Sequence, residues 1–182
     1  MSIYQRALDD LAAVFTHLDE SEVDRAVTAI AAAKRIALYG VGREGLQIKG
    51  LAMRLYHLGL SVSVVGDMST PPLGRGDLLI VSAGPGYFST VAALMKTASE
   101  AGAQTLCVTA QPSGTCPQAA NVVLTIPAQT MANDSGPATS VLPMGSLYEG
   151  AQYILFECLI LKLRELLKIT PQAMRANHTN LE

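Results

Sequence analysis

The chain has 182 residues, of which 49% are hydrophobic and 15% charged, and its formal net charge is −2 at pH 7. This length fits one domain with a single substantial core. No local run of lysine or arginine creates a basic field, so we expect no nucleic-acid partner. The 3 cysteines are odd in number and far apart, which argues against a disulfide framework and a zinc cluster. No pair of the 3 histidines has ligand spacing either, so we expect no metal site. We also expect no cofactor.

Two helices are predicted at the start of the chain, within residues 1–34. The first covers residues 3–18, and the second begins at Ser21, whose hydroxyl would cap it with Asp24 completing a capping box. Acidic residues stand where a signal peptide has a basic and then an apolar stretch, so we expect a cytoplasmic protein. His17 is expected at the surface.

The hydrophobic period changes at residue 35, where strands and helices begin to alternate. Residues 43–59 and 88–102 have helical spacing, and a short turn is expected around Pro117. This alternation predicts a doubly wound, five-stranded parallel sheet with helices on both faces, following the two leading helices. The predicted strands lie in 35–40, 61–67, 77–84, 104–110 and 121–126.

The last third of the chain differs from this pattern. Residues 127–143 are rich in Pro, Ser, Thr, Asn and Gly, and a loop of this length predicts a functional segment. A long helix, apolar on nearly all faces, follows from residue 145. Charged residues interrupt it, so it is not a membrane span. We expect the sheet to cover one side of this helix and another subunit to cover the other, in a homotetramer or at least a dimer.

Two glycine-rich loops follow predicted strands. The first contains Gly40, Gly42 and Gly45 as G-x-G-x-x-G, and Asp67 ends the next strand where a dinucleotide-binding fold has its ribose-binding carboxylate. The second, "SAGPGYFST" at residues 82–90, follows the third strand. Two loops facing one crevice suit a small anionic or polyhydroxyl ligand, because helix N-termini present free N–H groups there.

Several stretches resemble the SIS (sugar isomerase) domain family, and within it the 6-phospho-3-hexuloisomerases. They are "YGVGREG", "AMRLYHLG", "VVGD", "STPP", the second loop, "PMGSLYEGAQYILFE" and "HTNLE". The resemblance covers essentially the whole length and identifies residues 1–182 as a single SIS domain. Its parts are the leading helices 1–34, an α/β core at 35–143, and the long helix with the C-terminal tail at 144–182.

The resemblance implies an enzyme. Members of the family are usually tetramers with active sites between subunits, and they interconvert 3-hexulose 6-phosphate and fructose 6-phosphate through an enediol without a metal. Glu149 matches the family's base, while His57 and His178 match its histidines. From the residues alone, Glu149 could instead complement a helix dipole, His57 could cap its helix, and His178 could lie in a frayed tail.

The resemblance also implies a set of substrate-binding residues in and around the two loops. Three replacements depart from the family pattern: Glu44 and Pro85 stand in place of serines, and Phe88 in place of a threonine. A carboxylate beside a phosphate costs energy unless a cation offsets it. Arg43, Lys49 or Arg54 could provide that charge, or the phosphate could lie elsewhere, or the substrate could be another sugar. The implied binding residues are Gly42, Arg43, Glu44, Arg54, Ser82, Gly84, Gly86, Ser89 and Thr90.

Two alternatives to an isomerase remain open at this point. The first is a non-catalytic SIS module that binds a sugar phosphate, as in transcription regulators. The second is a nucleotide-binding protein that uses the first glycine loop and Asp67. Helix capping alone would also account for Ser82, Ser89 and Thr90.

Overall fold

The computed structural model describes residues 1–135 and 140–181. Residues 136–139, within the loop predicted to be functional, lie outside the described residues. Helices α1 (Ile3–Thr16) and α2 (Glu20–Ala32) come first, as expected. The elements that follow are β1 (Ile36–Tyr39), α3 (Gly42–His57), β2 (Val62–Val64), β3 (Leu78–Ser82), α4 (Ser89–Glu100), β4 (Gln104–Thr109), α5 (Thr115–Gln118), β5 (Val122–Thr125), α6 (Ser146–Leu166) and α7 (Pro171–Ala176).

The five strands form one parallel sheet in the order β2-β1-β3-β4-β5. The predicted doubly wound, five-stranded sheet is therefore confirmed. The strand order reverses between β1 and β3, and ligands of open α/β sheets bind in the crevice outside the carboxyl ends of the strands at such a point. The two glycine-rich loops follow β1 and β3, so both lie at this crevice.

Alternating strand residues build two separate cores, because successive side chains of a strand point to opposite faces. Leu38 and Ile80 belong to the larger core, which they share with residues of α2, α3 and α6. Ala37 and Val81 belong to the smaller core, which α4 and α5 cover. Both faces of the sheet are thus buried, which explains why its strands are almost continuously apolar.

The predicted start of the second helix is wrong by two positions. Asp19 is the N-cap of α2, and its carboxylate accepts a hydrogen bond from the backbone N–H of Ser21 at 2.8 Å. A carboxylate satisfies a free N–H of the first turn and complements the helix dipole, so Asp19 replaces the expected Ser21 cap. Asp24 forms no capping box with Ser21 and instead accepts from Lys162 Nζ at 2.9 Å.

Two short helices were not predicted. The turn around Pro117 contains the single helical turn α5, and the C-terminal tail contains α7. Thr170 caps α7 by accepting from the backbone N–H of Ala173 at 3.1 Å, and Pro171 occupies its first turn. Thr-Pro is a typical helix start, so the sequence did carry this signal.

His17 and the three cysteines differ in how exposed they are. His17 is exposed, as predicted. Cys107 and Cys116 are buried, whereas Cys158 is exposed on the isolated chain. Among the helices of the described residues, none has the length and apolar character needed to cross a membrane.

Candidate active site

The glycines of the first loop have two different roles. A Cβ on Gly45 would lie 2.5 Å from the carbonyl oxygen of Gly40, and a Cβ on Gly40 would lie 2.9 Å from the Cα of Gly45. These two glycines therefore allow α3 to pack closely against the end of β1. Gly42 begins α3 with φ +57°, and a Cβ there would meet nothing within 4 Å. Only Gly42 of the three leaves open space beside the loop.

Glu44 joins the two glycine-rich loops. It lies in the first turn of α3 and is only 7% exposed. Its Oε2 accepts two hydrogen bonds from the second loop, from Ser82 Oγ at 2.5 Å and from the backbone N–H of Gly84 at 2.9 Å. Burial raises the pKa of the Glu44 carboxyl, and these two hydrogen bonds oppose the rise.

Ser82 is the centre of a buried polar cluster beneath Glu44. Its hydroxyl is completely buried and also lies 2.9 Å from Gln152 Nε2 and 3.2 Å from the Tyr148 hydroxyl. Because the single hydroxyl hydrogen of Ser82 is donated to Glu44, both Gln152 and Tyr148 donate to Ser82. The hydroxyl has no remaining capacity, so Ser82 positions Glu44 instead of facing the crevice.

The backbone of the second loop is also engaged. The N–H of Gly84 donates to Glu44, and the N–H of Gly86 donates to the carbonyl of Ala83 at 2.8 Å. Pro85 has no N–H. A Cβ on Gly84 would lie 2.8 Å from Glu44 Oε1, so the carboxylate fits only against a glycine. Residues 84–86 thus retain no backbone donor for an anion.

The donors that remain lie further along the second loop. The N–H groups of residues 87–90 have no acceptor within the described part of the chain, and α4 lacks a side-chain N-cap. Ser89 and Thr90 are exposed at the start of this helix. An anion that approaches this loop would therefore find its donors at residues 87–90.

Glu149 reaches the same crevice from the first turn of α6. Its side chain is 15% exposed, and its Oε2 lies 3.1 Å from Arg43 NH1. Arg43 also donates to Ser146 Oγ at 2.9 Å and to the carbonyl of Met144. Burial raises the pKa of the Glu149 carboxyl, Arg43 lowers it, and the nearby Glu44 charge raises it further. Two carboxylates and one guanidinium therefore meet at this crevice.

The predicted histidines lie elsewhere on the same chain. The rings of His57 and His178 are stacked with centroids 5.3 Å apart, and Asn177 Nδ2 donates to the carbonyl of His57 at 3.0 Å. These histidines and Arg54 line a groove of about 470 Å³. Glu44 and His57 are thirteen residue steps apart on α3, which corresponds to about 20 Å at 1.5 Å per residue. A single chain does not bring His57, His178 or Arg54 to the crevice.

Arg54 has a partner in that groove. Its guanidinium donates to both carboxylate oxygens of Glu157, with Nε to Oε1 and NH2 to Oε2 each at 3.0 Å. The charge of Arg54 is thus already balanced, and Arg54 does not offset Glu44 within one chain. Lys49 is exposed on α3. Of the three candidate cations, Arg43 is the one that the structure places at the crevice, where it pairs with Glu149.

Sequence reasoning missed three residues of these sites. Gln152 is completely buried in an apolar helix, and a lone amide at such a position was a readable signal. Tyr148 gave no signal, because a tyrosine in an apolar helix is common in protein cores. Glu157 is one of the charged residues that interrupt the apolar helix, and its pairing with Arg54 depends on how α3 and α6 pack.

A family model of the SIS domain matches residues 29–151. The chain belongs to the SIS domain family. It is 30% identical to a 3-hexulose-6-phosphate isomerase of Bacillus subtilis over 175 residues, covering 96% of this chain and 95% of the relative. It is 33% identical to a 3-hexulose-6-phosphate isomerase of Mycobacterium gastri over 174 residues, covering 96% and 87%.

A solved crystal structure is also similar to this chain. It is a hypothetical protein of Methanococcus jannaschii, for which the crystal structure inferred a molecular function of 3-hexulose-6-phosphate isomerase. The two chains have a TM-score of 0.84 and 25% sequence identity, with 98% of each chain covered. The predicted family, fold and class of sugar isomerase are confirmed by these comparisons.

Proposed function

We propose that this SIS domain is an isomerase of the 3-hexulose 6-phosphate and fructose 6-phosphate type, with Glu149 as the base. The names of the two relatives support the substrate class. The observation that carries the proposal is the position of the Glu149 carboxylate, which is mostly buried at the crevice and held by Arg43 of the first glycine loop.

The chemistry moves a carbonyl between adjacent carbons. Glu149 takes the proton from the hydroxyl-bearing carbon beside the carbonyl, and the electrons of the broken C–H bond form an enediolate. The old carbonyl oxygen gains the proton that the hydroxyl of the neighbouring carbon loses. Glu149 then returns its proton to the former carbonyl carbon, and the neighbouring carbon becomes the new carbonyl. The raised pKa of Glu149 suits this role, because a general base works best when its pKa lies near the working pH. Arg43 lies beside Glu149, where a cation stabilises the developing oxyanion.

The orientation of the substrate follows from the donors that remain free. The phosphate would lie at the N-terminus of α4, on the N–H groups and hydroxyls of residues 87–90, because helix N-termini favour anions. The sugar then extends along the crevice towards Glu149. Its hydroxyls would pass the first loop at Gly42.

His57 and His178 would contribute to the active site of a neighbouring subunit. They lie at the far end of α3 from Glu149, so they would act in a site completed by a neighbouring chain of a homotetramer or dimer. This arrangement and a cytoplasmic location stay predictions. So does the assignment of the whole chain to a single domain.

The test follows proton exchange at the carbon beside the carbonyl. A panel of hexulose, pentulose and tetrulose phosphates, free sugars and NAD is first screened by thermal shift, because a ligand of the folded state raises its apparent stability. Deuterium incorporation from solvent is then followed by NMR for the sugars that bind. We expect Glu149→Gln to reduce exchange by about 10²-fold or more.

Glu165→Gln is the matched control, since Glu165 is an exposed residue on the same helix. It should exchange at the wild-type rate. Equal exchange in wild type and Glu149→Gln would remove Glu149 from the mechanism. Sugar binding without exchange by the wild type would favour the non-catalytic SIS module, and binding of NAD alone would favour the nucleotide-binding alternative.

A further inference from the structure

Around Glu44, the side-chain polar atoms of the described residues that lack a hydrogen-bond partner are acceptors. Both hydrogen bonds to its carboxylate end on Oε2. Oε1 accepts none from the described residues. Gln152 Oε1, in the same cluster, is the one buried side-chain nitrogen or oxygen of the described chain without a partner. Glu44 Oε1 can therefore accept a hydrogen bond from a ligand in the crevice, whereas Gln152 Oε1 is completely buried beneath it.

Donors on the protein side are used up at the same place. Ser82 donates to Glu44, and so does the N–H of Gly84. Pro85 has no N–H, and the N–H of Gly86 is bound to Ala83. A phosphate carries acceptor oxygens and negative charge at neutral pH. A phosphate at Gly84 would find no hydrogen-bond donor and would lie against the Glu44 carboxylate, with the Glu149 carboxylate nearby.

We propose that Glu44 is a specificity-determining residue that binds a hydroxyl group of the sugar and keeps phosphate away from the Gly84 end of the crevice. The proposal rests on the isomerase function and deepens it. A sugar hydroxyl donates to Glu44 Oε1, and a phosphate, where the sugar has one, is held at residues 87–90. The ligand chemistry is a polyhydroxyl chain, which a free sugar and a sugar phosphate share.

Replacing Glu44 by glutamine inverts this chemistry without a large change of shape. The amide oxygen would accept from Ser82 and Gly84, as Oε2 does now. The NH2 group would then stand in the place of Oε1. An acceptor for a sugar hydroxyl would thus become a donor for a phosphate oxygen, and one negative charge would be removed.

The experiment measures binding of fructose, fructose 6-phosphate and inorganic phosphate by calorimetry. We expect Glu44→Gln to weaken fructose binding about tenfold, which corresponds to one hydrogen bond to a charged group. It should tighten inorganic phosphate binding by about tenfold or more. Fructose 6-phosphate should change less than either, because its two ends respond in opposite directions.

Glu100→Gln is the control, because it makes the same change of charge at an exposed residue at the end of α4. It should leave all three affinities at their wild-type values. The proposal is overturned if Glu44→Gln leaves the ratio of fructose to phosphate affinity unchanged. Neither outcome depends on turnover, so failure of the isomerase function, seen as no exchange by the wild type, is a separate result.

A second measurement uses wild-type crystals soaked in sulfate and does not depend on how the variant folds. Sulfate at residues 87–90, or none in the crevice, supports the proposal. A sulfate oxygen within hydrogen-bond distance of the Gly84 nitrogen overturns it.

Discussion

Arg43 and Glu149 form an ion pair, with 3.1 Å between NH1 and Oε2, that joins the first glycine-rich loop to the N-terminus of α6. The pair links the residue proposed as the base to the loop beside the ligand. Because Arg43 is 46% exposed and Glu149 is 15% exposed, the pair sits at the edge of the crevice instead of in the core. Its main effect is therefore expected on the protonation of Glu149 and not on folding.

Arg43→Met tests this coupling through the pH dependence of kcat/KM. Burial raises the pKa of Glu149 and Arg43 lowers it, so loss of the guanidinium should raise the pKa further. A base acts only when deprotonated, so the acidic limb of the pH profile should move to higher pH. The rate at neutral pH should fall. Arg25→Met, an exposed change on α2, should leave the limb in place, and an unmoved limb in Arg43→Met would contradict the coupling.

Gly45→Ala tests the close packing of α3 on β1. Its Cβ would lie 2.5 Å from the carbonyl oxygen of Gly40, so backbone must move. We expect a loss of about 1–3 kcal/mol in the free energy of unfolding. Gly50→Ala is a matched control on the same helix, where a Cβ meets nothing within 4 Å. That variant should gain about 0.5–1 kcal/mol in urea unfolding, and equal effects of the two changes would be inconsistent with the packing role.

The sequence predicted the sheet because the spacing of hydrophobic residues and the glycines that follow the strands are local signals. The same local signals placed both glycine-rich loops, Glu149 and Glu44 at strand or helix ends. They did not reveal that Glu44 accepts from Ser82 and Gly84, because that contact joins residues 38 and 40 positions away. The pairing of Arg54 with Glu157 was hidden for the same reason. Whether His57 and His178 meet Glu149 depends on contacts between chains, which one sequence does not encode locally.

Self-association is predicted from the outward face of α6. Tyr153, Ile154 and Leu161 of this helix are 58%, 37% and 53% exposed on the isolated chain. Exposed apolar side chains in one patch mark an interaction surface. We expect a tetramer or dimer by light scattering at micromolar concentration. Leu161→Glu should shift the oligomer towards smaller species. The same change at exposed Leu46 of α3, which lies outside this patch, is the control. A monomeric wild type would contradict the prediction.

The buried Glu44 carboxyl should make folding stability depend on pH in a defined direction. Its pKa is raised in the folded protein by burial, so the folded state holds this proton more tightly than the unfolded state. In the window above the ordinary glutamate pKa, ∂ΔG/∂pH of unfolding is then negative for this group. Its contribution is fully present below the unfolded pKa and is lost as pH rises through the folded pKa.

Glu44→Gln removes that ionisation while keeping an acceptor for Ser82 and Gly84. In urea unfolding at a series of pH values from 4 to 8, roughly the range around a glutamate pKa, the wild type should lose stability relative to the variant as pH rises. Lowered pKa values, such as that of Asp77 beside Arg35, act in the opposite direction in both proteins and cancel in the difference. Glu100→Gln should run parallel to the wild type. A constant difference between wild type and Glu44→Gln across this range would mean that the Glu44 pKa is the same in the folded and unfolded states.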